Sequence, residues 1–393
     1  MAANDVPDRI ELASRAAKLV PLLQKNAAWA EEHRRLPDET IEALTEAGLA
    51  KMRVPVRYGG YEADTATVVD VLSELARGDA STSWTAAVWA ISSWVVGLFP
   101  DEVQDEVFSS PDVRVSGILS PTAMAVPAPG GVVVNGKWTF NTGVRHSQWN
   151  TNAAVRPTPD GGFEPVMLVV PVSDLQIVDD WHTTGIRGSG SVTTVAQDLF
   201  VPEARVLPMG PVLNQVYASK LNAGSPMYAS PFLPMACATV GATVLGVAKA
   251  AGEAFFQRLP GRKITYTDYE NQSAAPLTHL QVADATVQID EAEFHAYRAA
   301  GRIDAKARAG EAWTIRDRAL ARLDLGALVQ RAKGAVEVLK TASGGSSIYE
   351  GVAIQRIHRD IEVLSLHAIM HPNTNLELFG RVECGLEPNT HYI

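Results

Sequence analysis

The sequence predicts an α+β fold in three units: an N-terminal helical unit over 1–112, a central antiparallel β-barrel or sandwich over 113–222 and a C-terminal helical bundle over 223–393. Two observations carry this prediction. Apolar residues recur at helical spacing up to about residue 112, alternate with period two to about 222, and then return to steps of three and four. The chain's 393 residues also exceed the length of about 250–300 at which a single core stops growing.

In the first unit, Asp38 and Glu39 precede Ile41, Leu44 and Ala47 at helical spacing, and Gly48 closes the segment, which reads as a capped helix. A Gly-rich loop, Tyr58-Gly59-Gly60-Tyr61, follows it. Val68, Leu72, Leu75 and Ala76 then mark an amphipathic helix. Gly78-Asp79-Ala80-Ser81 opens a very apolar helix that carries Trp84, Trp89 and Trp94. In the second unit, Val132–Val134 and Trp138 with Phe140 flank Asn135-Gly136, the pattern of a tight hairpin. Further short runs lie at 166–172, 175–181 and 194–201, separated by Gly, Pro and Asp. In the third unit, Val282, Ala285, Ile289, Ala292 and Ala296 step 3,4,3,4, as do Leu325, Leu328, Ala332, Ala335 and Leu339. Two long helices with close-packing, Ala-rich seams are expected there.

Composition excludes several function classes. The chain has 34 Lys plus Arg against 44 Asp plus Glu, a net charge of −10 without any basic block, so it lacks the clustered cations that a nucleic-acid backbone requires. Cys237 and Cys384 are too few for a disulfide framework, and neither belongs to a CxxC pair, which fits a reducing cytoplasm. The first residues carry acids and lack the apolar core of a secretory signal. The most apolar stretches, Ala86–Phe99 and Met235–Ala248, read as buried helices too short for a bilayer.

The chain resembles the acyl-CoA dehydrogenase superfamily in five segments that follow in order: 34–64, 73–84, 136–143, 185–206 and 355–360. Oxidation of an acyl thioester needs a carboxylate base, which in the common dehydrogenase pattern is the Glu of a Tyr-Glu-Gly motif after an Arg-Asp pair. Here Arg359-Asp360 is followed by His367 and His371 instead, and the Tyr-Glu-Gly at 349–351 precedes the pair. This departure resembles the flavin-dependent monooxygenase branch of the superfamily, the oxygenase components of two-component systems. A dehydrogenase with an unrecognised base is the alternative.

That resemblance implies reduced FAD or FMN delivered by a separate NAD(P)H:flavin reductase, O2 as co-substrate, and a small aromatic substrate hydroxylated through a flavin C4a-hydroperoxide. It also implies an acyl-CoA dehydrogenase-like subunit with a central antiparallel β-barrel and a C-terminal four-helix bundle, assembled as a homotetramer or homodimer. No Rossmann fingerprint is present for nicotinamide itself, because Gly188-Ser189-Gly190 lacks the third Gly and the following helix. Thr142, in Phe140-Asn141-Thr142-Gly143, is expected to hydrogen-bond near flavin N5. His371, and secondly His367, would orient or deprotonate substrate, since imidazole titrates near neutral pH. As i, i+4 residues the two would share one face of a helix. They form no metal site, for HAIMH lacks the HExxH glutamate and a third ligand. Trp84, Ser92, Trp94 and Met370 are candidate substrate contacts, with core packing as the alternative for the tryptophans. Ser92 stands where several phenol-hydroxylating relatives carry His, which favours an indole-like substrate over a phenol. Ser120 is expected beside the flavin pyrimidine, and Arg187 and Ser189 near the cofactor. Arg262 and the Gly344-Gly345 loop are candidates for the flavin phosphate, the loop being one that a neighbouring subunit lends; a helix end and a surface cation are the alternative.

Overall fold

The computed structural model describes residues 6–110 and 112–393. Five helices come first: α1 (Arg9–His33), α2 (Asp38–Glu46), α3 (Thr65–Gly78), α4 (Ala80–Val96) and α5 (Asp101–Val107). Local chemistry sets their starts. Asp8 accepts a hydrogen bond from Glu11 N–H (2.8 Å), and Asp64 does the same for Thr67 N–H (2.9 Å). Asp79 caps α4 by accepting from both the backbone N–H and the hydroxyl of Thr82, each at 2.7 Å. Helix α4 has no charged residue and is buried on nearly all sides, because it runs between the other helices and the sheet.

The middle unit contains β1 (Val115–Ala128), β2 (Gly131–Trp138), β3 (Trp149–Pro157), β4 (Phe163–Pro171), β5 (Gln176–Val178), β6 (Thr193–Pro202) and β7 (Val206–Pro208). These strands form one sheet in the order β5-β6-β2-β1-β3-β4-β7. It differs from the expected antiparallel barrel in two respects. Edge strands β5 and β7 do not pair among the described residues, so the sheet is open. And β1 pairs β3 in parallel, because β6 occupies the free edge of β2 and the third strand must return beside the first. Alternation of side chains is the same in either arrangement, so period two could not distinguish them.

Asn135-Gly136 is not the hairpin turn. Pro129-Gly130 turns the chain between β1 and β2, with Gly130 at φ +82°. Asn135-Gly136 lies inside β2, where the register against β6 shifts, and forms a bulge. Asn135 donates to the Asp198 carboxylate (3.0 Å) and accepts from Asp198 N–H (2.8 Å), holding Asp198 at φ +47°.

After a short α6 (Met209–Leu213), helices α7 (Phe232–Arg258), α8 (Pro276–Ala309), α9 (Ile315–Ala342), α10 (Ala353–Ser365) and α11 (Pro372–Glu383) complete the chain. The Ala-rich seams face inward as expected: Ala285, Ala292 and Ala296 of α8 meet Leu325, Leu328, Ala332, Ala335 and Leu339 of α9 in one core. That core also takes in α1, α3, α4 and α7, so the first and last helical units share a single interior. The expectation of a helix too short for a bilayer fails for α7, whose 27 residues are long and apolar enough to cross one. Its most apolar window is 94% buried within the protein, which identifies it as the central core helix.

An added methyl at Gly136 would lie 2.5 Å from the Ala123 Cβ, on a backbone at φ +154°. Gly136→Ala is therefore expected to destabilise the protein by about 1–3 kcal/mol, measured by urea unfolding. An unchanged midpoint would contradict the bulge.

Candidate functional site

Two loops meet where the sheet abuts the helices. Asn141 N–H donates to Val192 C=O (3.0 Å) and Gly143 N–H to Ser189 C=O (3.2 Å), which laces residues 140–143 to 189–192. The Asn141 side chain is buried and anchors the first loop through Asn150 (2.7 Å) and Thr194 (2.8 Å). Phe140, at φ +63°, is thrown outward and 63% exposed, with its ring edge-on to Trp181 at 5.8 Å. Thr142 points the other way and is buried. Its Oγ1 accepts from Trp84 Nε1 (3.1 Å) and lies 2.7 Å from Ser191 Oγ. Ser191 Oγ is 2.8 Å from Ser189 Oγ, which donates to Ile186 C=O at 2.8 Å.

His367 flanks this cluster and His371 follows in the same turn, neither of them on a helix. Helix α10 ends at Ser365, and residues 366–371 form a turn in which Met370 N–H (2.8 Å) and His371 N–H (3.0 Å) both donate to His367 C=O. The i, i+4 spacing is therefore used by a turn, because Pro372 ends the possibility of continuing the helix through His371. The His367 ring lies edge-on to Trp84 at 5.2 Å. It keeps solvent-accessible surface while protein surrounds it, the condition of a side chain lining a concavity, and burial pushes it down to about 4. It is thus neutral near pH 7. Its Nδ1 accepts from Ile369 N–H (3.3 Å), so the ring proton resides on Nε2, which is a donor. His371 is different: its Nδ1 is sealed from solvent and has no hydrogen-bond partner among the described residues. A buried polar atom left unpaired costs about 1–3 kcal/mol.

The 185–190 loop is held from three sides. Ile186 N–H donates to the Asp360 carboxylate (2.6 Å), and Arg359 donates to Thr184 C=O (2.7 Å). A Cβ on Gly185 would meet Arg359 C=O at 2.3 Å, and one on Gly188 would meet the Ala30 Cβ at 2.9 Å. These glycines serve close packing against α10 and α1. Arg187 donates to Glu31 C=O (3.1 Å) in α1, and Ser189 is buried within the hydroxyl cluster. Asp360 is fully enclosed. Burial pushes its carboxyl up to about 7, against the pull of the Ile186 N–H and with the help of nearby Asp79.

The other expected contacts divide. Trp94 and Met370 are both 0% exposed and offer a ligand no surface. Trp94 stacks on Tyr228 (5.7 Å) and Phe232 (5.9 Å), and its indole donates to Met227 C=O; helix position alone could not separate core from pocket. Ser92 is buried beneath β1, where a Cβ on Gly117 would lie 2.5 Å from its Oγ. Ser120 is exposed, in the 119–122 stretch that bulges from β1 between Ile118 and Ala123. Arg262 and Gly344 come together within this one chain: Arg262 donates to Ser343 C=O (2.6 Å), and Gly344 takes φ +66° beside it. Arg258, next to them, donates to Ser346 Oγ (3.1 Å). Neither arginine has an acidic partner among the described residues. Sequence reasoning missed Ser191, Trp181 and the Asp360–Ile186 contact. Ser191 lay inside a quoted motif, but only the fold brings it to Thr142.

A reduced flavin fits these residues. Its flat ring system needs exposed apolar and aromatic surface, present at Phe140, at Leu366 (70% exposed) and at the accessible His367 ring. Its ring nitrogens need a fixed polar partner, and its phosphate needs unpaired cations such as Arg258 and Arg262. An acyl-thioester base does not emerge: among the described residues no carboxylate bonds to the side chains of Trp84, Thr142 or His367. The Glu350 backbone carbonyl accepts from Gln355 (3.1 Å), in a surface loop with Ile348 and Tyr349 exposed.

Comparison with known proteins agrees. Residues 15–109 match the acyl-CoA dehydrogenase N-terminal domain and residues 238–372 the acyl-CoA dehydrogenase C-terminal domain. The chain is 31% identical to the oxygenase component of an FADH2-dependent resorcinol hydroxylase from a Rhizobium species, over 98% of this chain and 96% of that one. It is also 31% identical to a pigment production hydroxylase of a Rhodococcus species, over 95% and 96% of the two chains. Among solved structures, XiaF from a Streptomyces species in complex with FADH2 superposes with a TM-score of 0.91 at 30% identity, covering 97% of each chain. The chain belongs to the acyl-CoA dehydrogenase-fold flavin-dependent monooxygenases, the oxygenase components of two-component systems. It is an oxygenase that works with reduced flavin.

The Asp360 carboxyl holds its proton to a higher pH folded than unfolded. Its stabilising contribution is complete below the ordinary value of 3.8 and is withdrawn as pH rises through about 7. The thermal midpoint is expected to fall from about pH 6 to 8, and less so in Asp360→Asn, which keeps an acceptor for Ile186 N–H. Equal slopes in the two proteins would rule this out.

Proposed function

We propose that this oxygenase hydroxylates a small electron-rich aromatic compound bearing an N–H, an indole-like substrate in preference to a phenol, with His371 accepting that proton. The observation that carries this reading is the unspent imidazole of His371. With Nδ1 sealed from solvent and unpaired among the described residues, Nε2 is the nitrogen left to meet substrate, and it accepts in the tautomer that carries the ring proton on Nδ1. His367, neutral with its proton on Nε2, acts as a donor that orients the ring or the oxygen to be transferred. Trp84 closes the aromatic wall between Thr142 and His367.

Reduced flavin, when bound, supplies the two electrons that let one atom of O2 enter the substrate while the other leaves as water. Thr142 would hold a ring nitrogen of that flavin, Ser120 in the bulged 119–122 segment would meet its pyrimidine, and Arg262 with the Gly344-Gly345 loop would take its phosphate. The preference for indole rests on Ser92: a small neutral side chain, buried under β1, provides no cation to hold a phenolate. One relative is an indole-3-acetate monooxygenase, 27% identical over 90% of this chain and 89% of that one, which favours the same class; the resorcinol hydroxylase is the counterexample. The reaction belongs in the cytoplasm, where a reductase keeps flavin reduced, and both cysteines are free, as a reducing compartment requires.

The working state is a homotetramer or homodimer. Helix α8 turns Leu280 (71% exposed), Val287 (54%) and Phe294 (57%) outward at intervals of seven residues, an apolar stripe suited to a second copy of this chain.

Purified protein supplied with reduced flavin and O2 is expected to hydroxylate indole with a higher kcat/KM than resorcinol. His371→Ala should lower kcat about 100-fold or more while leaving flavin binding intact. A preference for the phenol would overturn the indole assignment, and full activity in His371→Ala would remove the proposed base. Arg262→Ala should weaken flavin binding at least several-fold in an equilibrium titration, without loss of thermal stability in the apoprotein.

A further inference from the structure

The hydroxyl cluster behind Thr142 has one polarity in which all three hydroxyl protons reach an acceptor within it. A carbonyl oxygen only accepts, and in that polarity the single hydroxyl proton of Ser189 goes to Ile186 C=O (2.8 Å). Between Ser191 and Ser189 (2.8 Å), Ser191 must then be the donor. That spends the proton of Ser191, so between Thr142 and Ser191 (2.7 Å) the donor is Thr142. Trp84 Nε1–H can only donate, and it occupies one acceptor position of Thr142 (3.1 Å). All four contacts therefore run in one direction, from the Trp84 indole through Thr142, Ser191 and Ser189 to the Ile186 carbonyl. That carbonyl also accepts from Trp181 Nε1 (3.1 Å), and its peptide N–H is held by Asp360. Thr142, Ser189 and Ser191 are each no more than 3% exposed, so water cannot reset the polarity.

An isolated threonine hydroxyl turns to suit whichever partner it meets. Here the Thr142 proton is committed inward, and the oxygen is left with an acceptor position only. This matters because the two redox states of a flavin differ at the central ring nitrogen: the reduced form carries an N–H there, and the oxidised form a lone pair. We propose that Ser191, and Ser189 behind it, are positioning residues that lock Thr142 as an acceptor and thereby make the site select reduced over oxidised flavin. The proposal rests on the reading that Thr142 faces that ring nitrogen. Selection has a use in a two-component system, in which the oxygenase must capture reduced flavin from solution without being occupied by the oxidised product.

The test is equilibrium binding rather than turnover. Dissociation constants for FMN and FAD are measured in the oxidised form by fluorescence titration, and in the reduced form anaerobically, for the full-length wild type and for Ser191→Ala, Ser189→Ala and Thr142→Val. In Ser191→Ala the Thr142 proton loses its acceptor and is free to turn outward, so oxidised flavin should bind roughly tenfold more tightly and the reduced-to-oxidised preference should shrink. Ser189→Ala should act in the same direction by a different route, because Ser191 can then donate to Thr142. It also keeps the proposal testable if Ser191→Ala fails to fold, as read from the thermal midpoint of the apoprotein. Thr142→Val should instead lose affinity for reduced flavin. If Thr142→Val lowers the preference but both serine variants retain the wild-type ratio, the proposal is overturned while the reading of Thr142 stands. If Thr142→Val leaves the ratio unchanged, Thr142 does not face that nitrogen, and both fall.

Discussion

The peptide of Ile186 is the point on which the site's construction depends. Its N–H is held by the Asp360 carboxylate from α10, and its carbonyl accepts from Ser189 and from the Trp181 indole. A backbone group in a loop of the middle unit is thereby tied to the last helical unit and to the ring that supports Phe140. A buried carboxylate is costly unless paired, and Asp360 answers that cost with one strong hydrogen bond and a retained proton. Because the loop cannot drift, Ser189 and Ser191 cannot either, and Thr142 inherits their order.

The helical units supply the rigidity that this arrangement needs. A single core joins α1, α3 and α4 to α7, α8, α9 and α10, with alanine seams that let the helices approach closely. Helix α4 presents Trp84 to the site at one turn and buries Trp94 in a separate aromatic stack further along. The same helix is thus wall and core, and which tryptophan serves which purpose is decided by what packs opposite. On the other side, the 366–371 turn brings two imidazoles with distinct hydrogen-bonding states: His367 has committed one nitrogen to the backbone, and His371 has committed neither to a described partner.

Much of this was legible from residues alone. The switch from helical spacing to period two and back located the sheet between two helical units, because burial on one face imposes its own period on the sequence. Phe140 and Thr142 of the 140–143 segment and the two C-terminal histidines could be singled out through the resemblance to the monooxygenase branch, whose motif they match. Strand order was not legible. Side chains alternate alike in parallel and antiparallel pairs, so the parallel β1–β3 pairing and the open edges at β5 and β7 left no trace. Asn135-Gly136 misled for a related reason: the residues that make a tight turn also make a bulge, and only the partner strand distinguishes the two.

What the sequence by itself determined is the kind of chemistry available: an acidic chain with a small hydroxyl residue after an aromatic, two histidines where a carboxylate base would stand, and no nicotinamide fingerprint. Those are properties of residue type and local order, and they survive without coordinates. What only the tertiary structure decided is direction. Whether Thr142 gives or receives a proton and which tryptophan is core depend on partners far along the chain: Thr142 and Ser191 are 49 apart, Trp84 and Thr142 58, and Trp94 and Met227 133, while the ring proton of His367 depends on the turn that brings Ile369 N–H back to it. A hydroxyl or an imidazole has no fixed polarity of its own; it acquires one only when the fold has spent its other positions.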